Sequence, residues 1–253
     1  MKFLYDKLKL FKREKTKGRK LAIKITDIIS LALYQHRAGI NTKKSLYEHF
    51  SLKCSYKTLS ENLNRFSELS ALMLTLIIKA NRLGSHPIKH SDSTDIPVCL
   101  NKNAARHRTM NGLANWGHSG KGWFYGLKLH ITTDFRKKLL ALKFSSGNVH
   151  DSQMFIKLNQ GLKGIFIADA AYTGDKLQKE FLEESGRLLI AKPRRNMNKI
   201  MTEWQNELYQ TRMMIELNFK SLKMFFGLVS SLPRSVNGYL ANYIHSLLAY
   251  VLA

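Results

Sequence analysis

Cysteine is nearly absent from this 253-residue chain: Cys54 and Cys99 stand far apart and outside any C-x-x-C pair. That excludes a disulfide framework and a zinc ribbon, and makes a reducing cytoplasm the default. Long apolar runs are missing too. The most apolar segment, Leu72 to Ile78, is far shorter than the ~20 residues a spanning helix needs. Met1 to Lys24 alternates lysine with single apolar residues and lacks the unbroken core of a signal peptide. A soluble protein with no membrane partner is expected. Acidic residues are scarce, 18 against 41 lysines and arginines, which leaves a formal charge of +23. A chain that basic repels itself when compact, and a polyanionic partner relieves the repulsion. Nucleic acid fits best, because neutralising phosphates releases counterions whatever the sequence. A merely solvated basic surface is the plainer alternative.

What is present divides near Pro87. Residues 7 to 24 carry a basic run, Lys7, Lys9, Lys12, Arg13, Lys15, Lys17, Arg19, Lys20 and Lys24, suited to a solvated or phosphate-contacting arm. From about 20 to 84 the periodicity is helical, with segments around Ile23 to Leu33, Thr42 to Phe50, Thr58 to Phe66 and Glu68 to Arg82. Strands then alternate with helices. Strands are expected over Ile88–Cys99, Trp123–Thr132, Leu139–Phe144, Gly164–Ala168 and Leu188–Ala191. Asp151 is placed to cap a helix at Met154–Leu158, and Asp175–Ser185 reads as an amphipathic helix. Met197 to about Gly227 reads as one long helical stretch, and Tyr239–Leu252 as a last apolar one.

The strongest local signal surrounds Glu216. At 100° per residue, Tyr209, Arg212, Glu216, Lys220 and Lys223 share an arc of roughly 80° between two apolar shoulders. Burying those charges is costly unless they face a partner, a metal or a phosphate; the alternative is an i,i+4 network on a solvated edge. Asp169 ends the apolar run Ile165–Ala168, and Asp92 lies in a strand-like segment. Each aspartate alone suits a turn or a cap. With a glutamate on a later helix, they supply the hard oxygen donors that metal-assisted phosphodiester chemistry needs.

These motifs resemble the DDE transposases of bacterial insertion sequences. Tyr209, Arg212, Glu216 and Lys223 match the Y-(2)-R-(3)-E-(6)-K signature at every spacing. Asp92 to Cys99 is similar to the family's first-aspartate strand, and Ala168-Asp169-Ala170-Ala171-Tyr172 to its second-aspartate motif. Tyr125 to His130 and Gly147 to Ser152 add further similarity, so the resemblance runs from about residue 88 to the C-terminus. It departs at Ala170, where the family often carries a basic residue. The resemblance implies an α/β fold: a ribonuclease H-like mixed sheet flanked by helices, preceded by a small helical N-terminal region. Residues 1–87 would be a basic DNA-binding region and 88–253 the catalytic domain. Asp92, Asp169 and Glu216 would be catalytic and would hold two Mg²⁺ ions, or Mn²⁺. Tyr209, Arg212 and Lys223 would hold the DNA phosphate; Lys220 joins them from the helical wheel alone. The implied partners are double-stranded DNA, as transposon terminal inverted repeats and as target DNA, and further copies of the chain in a homo-oligomer. The implied location is the bacterial cytoplasm, at the nucleoid.

Other readings stay open. Asp95 rivals Asp92 as the first acid. His86, His90 and Asp92 hint at a histidine-based metallohydrolase, and an inactive or repurposed DNA-binding relative would keep the charge without the chemistry. His130 and the His150-Asp151 pair suit supporting roles near the acids. Trp116, Trp123, Phe124 and Tyr125 are expected in the core rather than stacked on bases. Gly117, Gly120 and Gly122 read as a flexible stretch, without the strand and helix context of a nucleotide-binding loop.

Overall fold

The structure, a computed structural model, describes residues 20–183, 186–193, 197, 200–229 and 233–253. The basic run up to Arg19, Ser185, Arg194 and Arg195 lie outside them. Four helices come first, α1 (Ile25–Arg37), α2 (Lys43–His49), α3 (Tyr56–Arg65) and α4 (Ser67–Leu83). Strands β1 (Ile88–Pro97), β2 (Asn115–Ser119), β3 (Gly122–Asp134) and β4 (Leu139–Ser146) follow, then α5 (Asp151–Leu158), β5 (Gly164–Ala168), α6 (Asp175–Glu183) and β6 (Arg187–Ala191). Helices α7 (Glu203–Gln210), α8 (Met213–Met224) and α9 (Val236–Val251) close the chain. Side-chain oxygens of Thr42, Ser55, Thr202 and Ser235 accept first-turn N–H groups of α2, α3, α7 and α9, which explains where those helices start.

The contacts define two compact units, residues 78–220 and residues 1–77 together with 221–253. In the second, α9 packs on α1 and α3. Ile25, Ile28, Ile29, Ala32 and Leu33 bury one stripe of α1, and Tyr239, Tyr243 and Leu247 line α9. His36 is buried here, its Nδ1 2.8 Å from the Phe226 carbonyl oxygen.

The unit 78–220 is built on one six-stranded mixed sheet in the order β2-β3-β1-β5-β6, with β4 also on β3. β1, β3 and β4 run antiparallel; β5 and β6 run parallel to β1 and are reached through helical crossovers. That is the ribonuclease H-like order, and with the helices about it the α/β expectation holds. Register assigns the faces, since alternate residues of a strand point to opposite sides. Lys89 pairs with Phe166, placing Ser91, Ser93 and Asp95 on the face with Phe166 and Ala168, where Phe155, Leu158 and Phe181 of α5 and α6 complete a core. His90 and Asp92 lie on the other face, where Asn218 of α8 donates to Thr133, the residue across from His90.

Four expectations fail. The long helix over Met197–Gly227 is two helices. At the break, Thr211, Arg212, Met214 and Ile215 make tight i→i−3 backbone bonds, and the Thr211 hydroxyl donates to the Leu208 carbonyl at 2.6 Å. A threonine hydroxyl competing for backbone in this way bends a helix, and an apolar-period count is blind to it. The glycine stretch is not a loose segment: Gly117 lies in β2, and a Cβ there would meet the Gly147 carbonyl oxygen at 2.4 Å, so glycine serves a close backbone approach. On that hairpin Trp116 and Trp123 are 41% and 64% exposed, whereas only Phe124 of the group is buried. Finally, His150 and not Asp151 caps α5. Asp151 is thereby turned to Lys128, 3.0 Å away.

Candidate active site

Strand β1 supplies the first wall of the site. Asp92 sits in mid-strand opposite Ile131, its side chain 18% exposed, so solvent reaches it through a narrow opening. Asp95, on the opposite face of the strand, cannot replace it. Asp169 directly follows β5, the parallel neighbour of β1, at the carboxyl end where open α/β sheets present their functional groups. Its carboxylate accepts from the Ala170 N–H at 2.6 Å and caps a short 3-10 turn, Ala170–Tyr172.

The second wall is the α7–α8 break. Arg212, one residue before α8, reaches two carboxylates at once: Asp92 Oδ2 at 3.4 Å and Glu216 Oε1 at 2.5 Å. The Tyr209 ring lies 6.0 Å from the guanidinium carbon. Tyr209, Arg212 and Glu216, with Lys192, Asn206, Gln210 and Met213, line an open concavity of about 580 Å³.

Electrostatics single out Asp92. Burial pushes its carboxyl up to about 7, against the Ser93 N–H and the Arg212 guanidinium, while Asp169 and Asp151 push it further up. Burial also opposes the charge on Arg212, but Asp169, Asp92, Tyr209 and Glu216 outweigh it and hold the guanidinium above its ordinary value. Tyr172, buried and hydrogen-bonded to Ser93, is raised by burial and then by Asp92, Asp151 and Asp169. The negative charge gathered around Asp92 creates a demand for a cation, and Arg212 answers part of it by spanning Asp92 and Glu216. Oxygen donors of this kind fit a hard divalent ion. Among the described residues, no three His, Cys, Asp or Glu side chains converge closely enough to hold an ion as they stand.

Of the residues singled out from sequence, Asp92, Asp169, Tyr209, Arg212 and Glu216 are therefore neighbours, although 124 residues separate the first acid from the last. Lys220 lies exposed one turn beyond Glu216, and Lys223, further along α8, is half-buried within the other compact unit. The histidines are engaged elsewhere. His86 Nδ1 accepts from the Ile88 N–H at 3.1 Å, His90 Nε2 lies 2.8 Å from the Thr211 hydroxyl, and His130 Nε2 is 2.8 Å from the Ser145 hydroxyl. Burial pushes His90 and His130 down to about 4, which keeps both neutral. Sequence reasoning missed Lys192 and Thr211. Lys192 follows β6 directly, so its position at a strand's carboxyl end was the available signal; nothing in the local pattern marks Thr211.

The sheet thus brings a carboxylate on β1 and one at the end of its parallel neighbour β5 towards Arg212, just before α8, and Glu216 on it. The family model described as the transposase DDE domain matches residues 84–236, more than half of the chain. The chain belongs to the DDE transposases, enzymes that cut and join DNA using divalent metal ions. No curated protein matches it. Solved structures similar to it include the Mos1 mariner paired-end complex with Mn, at 12% identity over 87% of this chain and 85% of that one, with a TM-score of 0.27. A pre-cleavage Mos1 transpososome, at 14% identity over 94% and 79%, and the Mos1 strand transfer complex, at 13% over 96% and 82%, both give 0.28. Superpositions this loose carry no argument for fold or chemistry. No helix among the described residues is long and apolar enough to cross a membrane.

Proposed function

We propose that Asp92, Asp169 and Glu216 are the catalytic acids of this transposase and hold two Mg²⁺ ions, with Mn²⁺ as a substitute. The single observation that carries the reading is the reach of Arg212 to both Asp92 and Glu216, which joins the central strand to the last signature helix. The bound ions supply positive charge that activates an attacking oxygen and steadies the leaving one. The chain's own groups do the rest. Arg212 offers a planar fork to the two free oxygens of a phosphate, with Tyr209 beside it; Lys220 and Lys223 act as point charges along the backbone. Asp92, on a strand braced on both sides, keeps the reacting phosphate in register with the sheet. Water attacks the phosphodiester at the transposon end, leaving a 5′-phosphate and releasing the 3′-oxygen as a 3′-OH; that 3′-OH then attacks a target phosphodiester, joins its phosphorus and displaces the target strand's 3′-oxygen as a new 3′-OH.

The substrates are the terminal inverted repeats and target DNA, both double-stranded, and two ends call for a homo-oligomer. The basic helical region 1–87 contacts DNA, and the chain from residue 88 carries the catalysis.

A nicking and strand-transfer assay on labelled duplex from the element's ends, with Mg²⁺, compares wild type with Glu216→Gln. Expected is metal-dependent cleavage that the variant loses while it still binds the duplex. Cleavage that survives the substitution sinks the acid assignment. Binding with no cleavage by either protein points instead to a repurposed DNA-binding relative.

A further inference from the structure

Helix α8 presents Glu216, yet the chain leading into it is broken, so something outside the helix must fix where Arg212 and Glu216 stand. Strand β1 provides it. His90 and Asp92 are two residues apart on one face of β1, and each meets one of two consecutive residues at the break: His90 meets Thr211 at 2.8 Å, and Asp92 meets Arg212 at 3.4 Å. The first contact is short and its histidine fully buried; the second is long and partly open to solvent. A third attachment lies further along α8, where Asn218 donates to Thr133 at 3.1 Å, and Thr133 is the register neighbour of His90.

We infer that His90 and Thr211 are a positioning pair that seats the α7–α8 break on strand β1 and so sets Arg212 against Asp92. The inference rests on the reading of Asp92, Arg212 and Glu216 as the site.

The hydrogen-bond inventory fixes how the pair is wired. The Thr211 hydroxyl has one hydrogen, and the Leu208 carbonyl, 2.6 Å away, can only accept it. The hydroxyl oxygen must then accept from His90, so the imidazole carries its proton on Nε2. That leaves Nδ1 as a buried acceptor with no hydrogen-bond partner among the described residues. A buried, incompletely satisfied polar ring in mid-sheet costs stability that an aliphatic residue would not cost. Its retention is explained if the Nε2–Thr211 bond places the residue that follows Thr211. Both hydrogen bonds of Thr211 are needed: one tightens the chain at the break, the other fastens the tightened turn to the sheet.

The test uses the full chain, Mg²⁺ and a labelled duplex of the DNA flanking its own coding region. It compares wild type, Thr211→Val, Thr211→Ser and Glu216→Gln under single-turnover conditions, together with duplex affinity. Valine keeps the shape of threonine and removes the hydroxyl; serine keeps the hydroxyl. Thr211→Val is expected to cut at least about tenfold more slowly at unchanged affinity, with Thr211→Ser restoring most of the rate. Equal rates for Thr211→Val and wild type, or an equal loss in Thr211→Val and Thr211→Ser, overturn the pair. Nitrogen-15 spectra of the histidine side chains give a second readout that does not depend on cutting. Wild type should show His90 protonated on Nε2, assigned by the loss of that signal in His90→Gln. Protonation on Nδ1 instead overturns the wiring. Glu216→Gln separates the two layers, because cleavage by that variant brings down the acid assignment while the Thr211 rates and the imidazole proton still judge the pair.

Discussion

Asp92 and Asp134 belong to the same antiparallel pair of strands, and the protein treats them in opposite ways. Asp134 ends β3 opposite Lys89, fully buried, and its carboxylate accepts backbone N–H groups from His86, Arg136 and Lys138 at 3.2, 2.9 and 2.9 Å. It organises the β3–β4 turn, including Lys137 at φ 64°, a conformation few non-glycine residues adopt without such support. Asp92 accepts one backbone N–H, from Ser93 at 2.8 Å, and a long contact from Arg212 at 3.4 Å. Its carboxyl is correspondingly pushed up to about 7, chiefly by burial. The same residue type on the same ladder is thus a satisfied structural group at one end and an under-satisfied one three residue pairs further in. Under-satisfaction is a cost to folding, and Asp92 bears it beside Asp169, Arg212 and Glu216, the residues proposed above as the site.

The sharpest way to break that contrast is to neutralise each carboxylate without changing its shape. Asp92→Asn should lower single-turnover cleavage by on the order of a thousandfold, since an amide is a poor replacement for an anionic oxygen donor. Its urea midpoint should stay level or rise, because the substitution removes a charge whose burial is unfavourable. A stability loss as large as that of a core truncation would show that Asp92 is a structural residue after all. Asp134→Asn should do the reverse. Turning one acceptor oxygen into a donor aimed at backbone N–H groups should destabilise the protein by ~1–3 kcal/mol in urea unfolding. Cleavage per folded molecule should change little. If Asp134→Asn abolishes cleavage while leaving the midpoint in place, the division between the two aspartates is wrong.

Sequence reasoning saw one side of this contrast well. The strand before Asp169 was legible because the apolar run Ile165–Ala168 ends abruptly at a carboxylate, the one around Asp92 was read as a strand-like segment interrupted by acids, and the spacing among Tyr209, Arg212, Glu216 and Lys223 singled out Glu216. The preference for Asp92 over Asp95 came from the Asp92-Ser93-Thr94 opening of the motif; in the structure the two side chains leave opposite faces of β1. Three features had no local signature. The break at Thr211 meets His90, 121 residues away, and an apolar period of 3.6 continues across it undisturbed. The β2–β3 hairpin looked loose because a glycine that serves a close backbone approach, Gly117, resembles in sequence its neighbours Gly120 and Gly122, which face open space. Asp134 passed unnoticed because its acceptors' partners are backbone amides, which every sequence supplies. Long-range polar contacts are the part of a fold that periodicity cannot reveal.

The smallest expected effect probes the join between the two walls. Arg212→Lys keeps the positive charge and removes the fork. A lysine ammonium is a point charge on a flexible stem and cannot span Asp92 and Glu216 with separate nitrogens, as NH1 and NH2 of Arg212 do. If Arg212 acts only as a counter-ion that tolerates buried carboxylates, lysine should serve nearly as well. If it also sets the distance between strand and helix and grips a phosphate by two oxygens, the loss should be about tenfold in single-turnover cleavage, with duplex affinity changed far less. Pairing Arg212→Lys with Thr211→Val separates the contributions. Losses that multiply mean that the fork and the Thr211 anchor act independently, whereas a double variant no slower than the worse single one means that both act through the placement of the same guanidinium.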